Sequence, residues 1–224
     1  MLRALIFDFD GVIADTEPLH HQAFRQALRE VSLDLSADDY FHRFLGLNDA
    51  ALMRAALEAA GRTPAPDDLP RLLRIKDAAY FRRIAAGLEP RPGVADFIRR
   101  AAAEWPLAIC SGARRREIET ILAHAGLAAA FRFVVSADDV VASKPDPAGY
   151  RLAVERMRTF VPGLRPAECL AIEDSPLGLQ AARAAGLRTL AVSGVFTAEN
   201  HQPAEAFVDD WATVTPDWLR KRFE

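Results

Sequence analysis

The sequence predicts an α/β protein, a parallel sheet flanked by helices, with an all-helical domain inserted near its start. Three observations predict it. Five short, nearly continuous apolar runs recur at 4–7, 107–110, 133–135, 169–172 and 189–192, the pattern of strands covered on both faces. Helical periodicities at 94–103, 115–125, 148–158 and 177–185 precede or separate the last four runs, and such alternation argues for parallel strands joined by crossover helices. Between the first and second runs the alternation fails, and about seventy residues carry helical patterns with no strand signal.

Taken in order, the run 4–7 is too short for a helix and ends in Asp8-Phe9-Asp10-Gly11, which leaves the sheet. Amphipathic segments follow at 19–31, 37–44, 49–60 and 67–86. Gly46 separates two of them, the stretch 61–66 with two prolines separates the next pair, and 87–93 with two more prolines ends the block. Residues 17–88 therefore read as a helical domain, and 1–16 with 89–224 as the sheet domain. The connections 14–18 and 87–93 are expected to lie close together, because both attach to one sheet. Gly186 closes the helix that precedes the fifth run.

The chain has 224 residues, half of them hydrophobic and 26% charged, which suits a folded globular protein with a sizeable core. A formal net charge of -3, with Arg114-Arg115-Arg116 as the one tight basic cluster, offers no surface for nucleic acid. No stretch approaches the roughly 20 apolar residues that span a bilayer. Asp8 interrupts the first apolar run too early for a secretory leader. Cys110 and Cys169 lie inside apolar runs without metal spacing, as reduced, buried small hydrophobes do. A cytoplasmic, monomeric protein with a small-molecule partner is expected.

Asp8 and Asp10 stand two residues apart at a strand's end, where open α/β folds bind ligands. Acids this close resist ionising together unless a cation neutralises them, and a hard divalent ion such as Mg²⁺ takes carboxylate oxygens with a phosphate. Ser111-Gly112 follows the second run and Glu173-Asp174-Ser175 the fourth, while Lys144 lies in the connection after the third. In a parallel sheet these positions converge. Singly each has an ordinary reading: Ser111 as a helix N-cap, Lys144 as a solvated cation, Glu173 and Asp174 as acids at a helix start. Jointly they supply phosphoryl transfer, with a carboxylate to attack phosphorus, a second acid to move the proton and Glu173 with Asp174 to complete a metal site. Ser111, the amides around Gly112 and the Lys144 charge would hold the phosphoryl oxygens.

The run Asp8-Phe9-Asp10-Gly11-Val12-Ile13-Ala14-Asp15-Thr16, then Ser111, Lys144-Pro145 and Glu173-Asp174-Ser175, resembles the four motifs of the haloacid dehalogenase superfamily, and the helical insertion resembles its helical cap. The similarity spans essentially the whole chain. It implies a Rossmann-like core, Asp8 as nucleophile, Asp10 as general acid and base, and Mg²⁺ held by Asp8, the Asp10 carbonyl and Asp174, with Glu173 nearby. A cis bond between Lys144 and Pro145 is expected on the same ground. Retention of Asp10 points to phosphate esters. The stretch 15–20 and the segment around Lys76 resemble the β-phosphoglucomutase-like branch, which holds mutases and phosphatases. In the mutases a loop arginine grips a second phosphate, whereas the matching stretch here is Gly46-Leu47-Asn48-Asp49, with an acid and no cation. A phosphatase of a small phosphorylated metabolite, a sugar phosphate, is therefore the expectation, with a phosphosugar mutase as runner-up and a non-catalytic binding protein on the same fold as the alternative of another class.

The resemblance puts His20 near the substrate. Lys76 either reaches the cleft or snorkels to water, and Arg114 at the helix start after Ser111 is a further substrate contact. His42, His124 and His201 read as structural or exposed, and Trp105, Trp211 and Trp218 as packing residues.

Overall fold

In the computed structural model, which describes residues 1–44, 47–194 and 204–223, every strand of the sheet is parallel to its neighbours. The chain runs β1 (Ala4–Phe7), α1 (Glu17–Arg29), α2 (Ala37–Asp39), a π-helical turn Tyr40–Phe44, α3 (Asp49–Ala59), α4 (Asp68–Ala85) and α5 (Val94–Ala102). It continues through β2 (Leu107–Cys110), α6 (Arg115–His124), β3 (Phe131–Val135), α7 (Ala148–Met157), β4 (Cys169–Glu173), α8 (Pro176–Ala184), β5 (Arg188–Val192), β6 (Ala206–Val208) and α9 (Pro216–Phe223). The spatial order is β3-β2-β1-β4-β5-β6. The chain thus leaves β1 for β2 on one side and later returns to place β4 on the other, which makes the end of β1 the switch point where such sheets bind ligands.

Two compact units result, Met1–Asp15 with Leu88–Glu224, and Thr16–Gly87. In the first, β1 is buried throughout because helices cover both faces. Strand alternation sends Ala4 and Ile6 toward Tyr150, Ala153, Val154 and Met157 of α7 and Ala181 and Ala182 of α8. Phe7 points the other way, against Phe97 of α5 at 6.0 Å between ring centroids, and Phe97 stacks on Trp211 at 4.9 Å. This is the parallel sheet between helices that the alternation implied, and the Rossmann-like core that the resemblance implied. Among the described residues of the second unit every regular element is a helix. Its interior is formed by Phe24, Leu28, Tyr40, Leu52, Met53 and Leu72 with their neighbours. Asn48 caps α3 by accepting from the Ala51 amide at 2.9 Å. No helix among the described residues is long and apolar enough to cross a membrane.

Several elements depart from the sequence expectation for physical reasons. β3 begins at Phe131 rather than Phe133, because it is an edge strand and can carry the exposed Arg132, whose guanidinium lies over the Phe160 ring. β6 and α9 were not foreseen: β6 is three residues long, and α9 is a basic segment that buries Leu219 and Phe223 alone. The segment expected as one helix over 37–44 splits into α2 and the π turn, which carries Tyr40 and Phe44 into the interior. Trp105 and Trp211 are buried and Trp218 half-buried, as expected, and His42 and His124 are exposed. His201 and Gly46 lie outside the described residues.

Phe97 is fully buried between Phe7 and Trp211. Phe97→Ala is expected to destabilise the sheet unit by about 3–5 kcal/mol, read from denaturant unfolding; a loss within about 0.5 kcal/mol, typical of surface sites, would contradict this packing.

Candidate active site

The strand ends fix the acids before any side chain acts. Asp8 continues the β1–β4 ladder by donating its amide to the Ile172 carbonyl at 2.8 Å, so Asp8 and the Glu173-Asp174 pair emerge side by side. Ser111 continues the β2–β3 ladder in the same way, donating to the Val135 carbonyl at 2.9 Å. Past Asp8 the chain turns tightly, with the Ile13 amide on the Phe9 carbonyl at 2.8 Å and the Gly11 amide on the Ala14 carbonyl at 2.8 Å. Arg91 secures the turn, its amide donating to the Ile13 carbonyl at 2.8 Å and its guanidinium to the Gly11 carbonyl at 2.6 Å.

Carboxylate oxygens of Asp8, Glu173 and Asp174 lie within 4.8 Å of one another, and all three residues are buried. Two unit charges 4.8 Å apart repel by about 3 kcal/mol at an effective dielectric constant near 20. Lys144 opposes this directly. Its Nζ donates to Asp8 Oδ1 at 2.6 Å and to Glu173 Oε1 at 2.6 Å. The Lys144–Pro145 bond is cis, as expected. From these side chains alone, burial pushes Asp8 up to about 7, with Glu173 and Asp10 adding to the rise and Lys144 opposing it. Burial likewise pushes Asp174 up to about 8, helped by the Asp8 and Glu173 charges. Burial pulls Lys144 down, yet Asp8 and Glu173 more than offset it and hold the ammonium above its ordinary range. The donor set is all hard oxygen with negative charge in excess, which fits a divalent cation of the Mg²⁺ kind.

Glu173 is spoken for. Lys144 and the Tyr150 hydroxyl, at 2.7 Å, both donate to Oε1, and Ser175 Oγ donates to Oε2 at 3.2 Å. A Cβ on Gly178 would lie 2.0 Å from Glu173 Oε1, so only glycine leaves room for this carboxylate. Glu173 therefore braces Lys144, while its carboxylate also belongs to the cluster of three acids that could hold a metal ion. Tyr150 was missed because it falls on the apolar face of a helical pattern. A buried tyrosine must find an acceptor for its hydroxyl, and that requirement was the available signal.

The other expected residues divide. Ser111 is buried, and its Oγ accepts the Ala113 amide at 3.1 Å; the residue at the start of α6 is Arg114, so Ser111 is not that helix's N-cap. Gly112 beside it is exposed. Asp10 is half-buried in the turn after β1. The Arg114 Nε donates to Glu117 Oε1 at 2.8 Å. His20 and Lys76 belong to the helical unit. The His20 ring stacks on Tyr80 at 4.0 Å. Lys76 does not snorkel: it is fully buried, with Nζ 2.5 Å from Asp49 Oδ2 and facing the Phe24 and Tyr80 rings at 4.9 and 5.3 Å.

A parallel sheet with acids, hydroxyl and lysine gathered at one strand edge is the architecture of the haloacid dehalogenase-like hydrolases, and residues 2–186 match the model of that family. The chain belongs to it and is an enzyme. It is 36% identical over 183 residues to the fructose-1-phosphate phosphatase YqaB of Escherichia coli (strain K12), covering 82% of this chain and 92% of that one. It is also 36% identical over 203 residues to the protein CbbY of Rhodobacter capsulatus, covering 88% and 87%. Among solved structures, CbbY of Rhodobacter sphaeroides in complex with xylulose-(1,5)bisphosphate superposes with a TM-score of 0.81 at 28% identity, covering 95% of this chain and 96% of that one. A β-phosphoglucomutase from Clostridium difficile matches in fold, with a TM-score of 0.81 at 21% identity over 100% and 97% of the two chains.

Gly11 has φ of 73°, and a Cβ there would lie 1.9 Å from Asp174 Oδ2. Gly11→Ala must displace Asp174 or the turn, and misplacement by about 1 Å costs on the order of 10²-fold in rate. The expected outcome is that loss of p-nitrophenyl phosphate hydrolysis with an unchanged circular dichroism spectrum; wild-type turnover would contradict the close approach.

Proposed function

We propose that the protein is a Mg²⁺-dependent phosphatase of a small phosphorylated sugar, working through an aspartyl-phosphate on Asp8. The observation that carries this reading is the convergence of Asp8, Lys144 and Asp174 at the switch point of the sheet, in a chain of this family. Asp8, Asp174 and the Asp10 carbonyl would hold the ion. When bound, Mg²⁺ would neutralise charge on the acids and on the phosphoryl oxygens.

An Asp8 carboxylate oxygen attacks phosphorus, forming the acyl-phosphate bond as the bond to the sugar oxygen breaks. Asp10 gives its proton to that leaving oxygen. Water then attacks the same phosphorus, Asp10 takes the proton, and the bond to Asp8 breaks to release inorganic phosphate. Ser111, the Gly112 backbone and Lys144 bind phosphoryl oxygens, and Glu173 with Tyr150 keeps Lys144 in position. Arg114 and His20 remain proposed substrate contacts.

A phosphorylated sugar is supported by the relatives, one named for fructose 1-phosphate and another seen with xylulose bisphosphate. Hydrolysis rather than transfer is supported by Asp49, whose carboxylate pairs with the buried Lys76 and offsets its charge. A loop that must grip a second phosphate needs the opposite charge.

Asp8→Asn removes the attacking carboxylate, so no phosphoenzyme forms. Asp10→Asn keeps the nucleophile and loses proton transfer, a factor of roughly 10²- to 10⁴-fold. With p-nitrophenyl phosphate, whose leaving group needs little protonation, the first step survives better than the second and acyl-phosphate accumulates on Asp8. Rapid quench and mass spectrometry should find the adduct in the Asp10 variant alone; equal labelling of both would overturn the role assignment.

A further inference from the structure

We propose that the helical unit carries an anion-binding site of its own, formed by Arg25, Arg29 and Arg83 with Gln22 and Gln26, which takes a small polyanion of the pyrophosphate class. These five side chains line a cavity of about 330 Å³. Gln22, Arg25, Gln26 and Arg29 form one stripe of α1 at helical spacing, and Arg83 reaches them from α4.

Arg83 is held in place without being neutralised. Its Nε donates to Gln22 Oε1 at 3.2 Å, and its Nη1 donates to Gln26 Oε1 at 3.2 Å and to the Ala79 carbonyl at 2.9 Å. All three acceptors are uncharged. A guanidinium has donors and no acceptor, so both carboxamides must turn their oxygens to it and their NH₂ groups away. Arg25 grips Asp34 with two hydrogen bonds of 2.8 Å, and Arg29 lies 3.7 Å from the same carboxylate. The Arg25 hydrogen bonds hold the Asp34 carboxyl down at about 2, so it stays a single negative charge at neutral pH. Three cations against one anion leave two positive charges in excess.

The class of ligand follows from the lining, which among the described residues holds neither a carboxylate nor an apolar side chain. It offers hydrogen-bond donors from guanidinium and carboxamide groups, and so demands an acceptor-rich ligand with at least two negative charges. A lipid chain would find no apolar side chain to bury against. The cavity has ample room for a polyanion with two phosphoryl groups, and the Arg29 side chain is 64% exposed, so the site is open to solvent.

The test is a titration of the ¹⁵N-labelled full chain with pyrophosphate, in EDTA and at low salt, following the arginine Nε–H and glutamine NH₂ resonances. Saturable shifts of Arg83, Gln22 and Gln26 are expected, weakened about tenfold or more by Arg83→Met, which removes a charge-assisted hydrogen bond while keeping the stem. Gln26→Glu, which places a carboxylate on Arg83 without removing any cation, should weaken binding as well. Absence of saturation at millimolar pyrophosphate, or equal binding by both variants, would overturn the site. Shifts produced by an acidic peptide and not by pyrophosphate would overturn the small-ligand assignment in favour of a protein partner.

Discussion

The ammonium of Lys144, 2.6 Å from Asp8 and 2.6 Å from Glu173, is the contact around which the sheet edge is organised. Three buried carboxylates crowd this edge, and one lysine cannot offset them all. Burial penalises every unpaired charge, and the raised affinity of Asp8 and Asp174 for protons expresses that strain. A group so placed is costly for stability, and carboxylates held close and short of cations suit a hard divalent ion. Lys144 is itself braced. Glu173 receives it together with Tyr150 and Ser175, so the lysine points where its neighbours dictate.

Backbone geometry provides the convergence at little expense. Because the strands are parallel and β1 lies between β2 and β4, the residues that follow all three emerge at one edge although Asp8, Ser111 and Glu173 are far apart in the chain. The ladder bonds from the Asp8 and Ser111 amides extend the sheet by one residue on each strand and stiffen both side chains at the root. Close approach is then permitted by glycine, at Gly11 beside Asp174 and at Gly178 beside Glu173. Substituting either would press a methyl group into a carboxylate.

Much of this was legible in the sequence, because buried parallel strands leave continuous apolar runs and phosphoryl chemistry leaves acids at their ends. The five longer strands, the helical insertion and the acids of the site follow from those two rules. What sequence could not carry were features set by partners distant in the chain. Arg132 hides the start of β3 because only an edge strand tolerates it, and β6 is too short to show a period. Lys76 reads either as a cleft residue or as a snorkelling lysine until Asp49, twenty-seven positions away, is seen beside it. That Glu173 also receives Lys144, Tyr150 and Ser175 on its oxygens shows only when those partners are seen beside it. Tyr150 reads as core because it is core, with a hydroxyl that happens to reach an acid.

If crowded negative charge organises the site, removing one charge should relieve the fold even as it removes the metal. Thermal unfolding of the wild type and of Asp174→Asn, each with and without Mg²⁺, tests this most directly. A ligand at 100 times its dissociation constant stabilises the folded state by about 2.7 kcal/mol, so the wild type should gain a clear rise in Tm with Mg²⁺. Asp174→Asn should respond weakly, and in metal-free buffer it should unfold at the wild-type temperature or above. A variant that is destabilised without Mg²⁺, or that gains as much from the ion as the wild type does, would contradict the central role of carboxylate crowding.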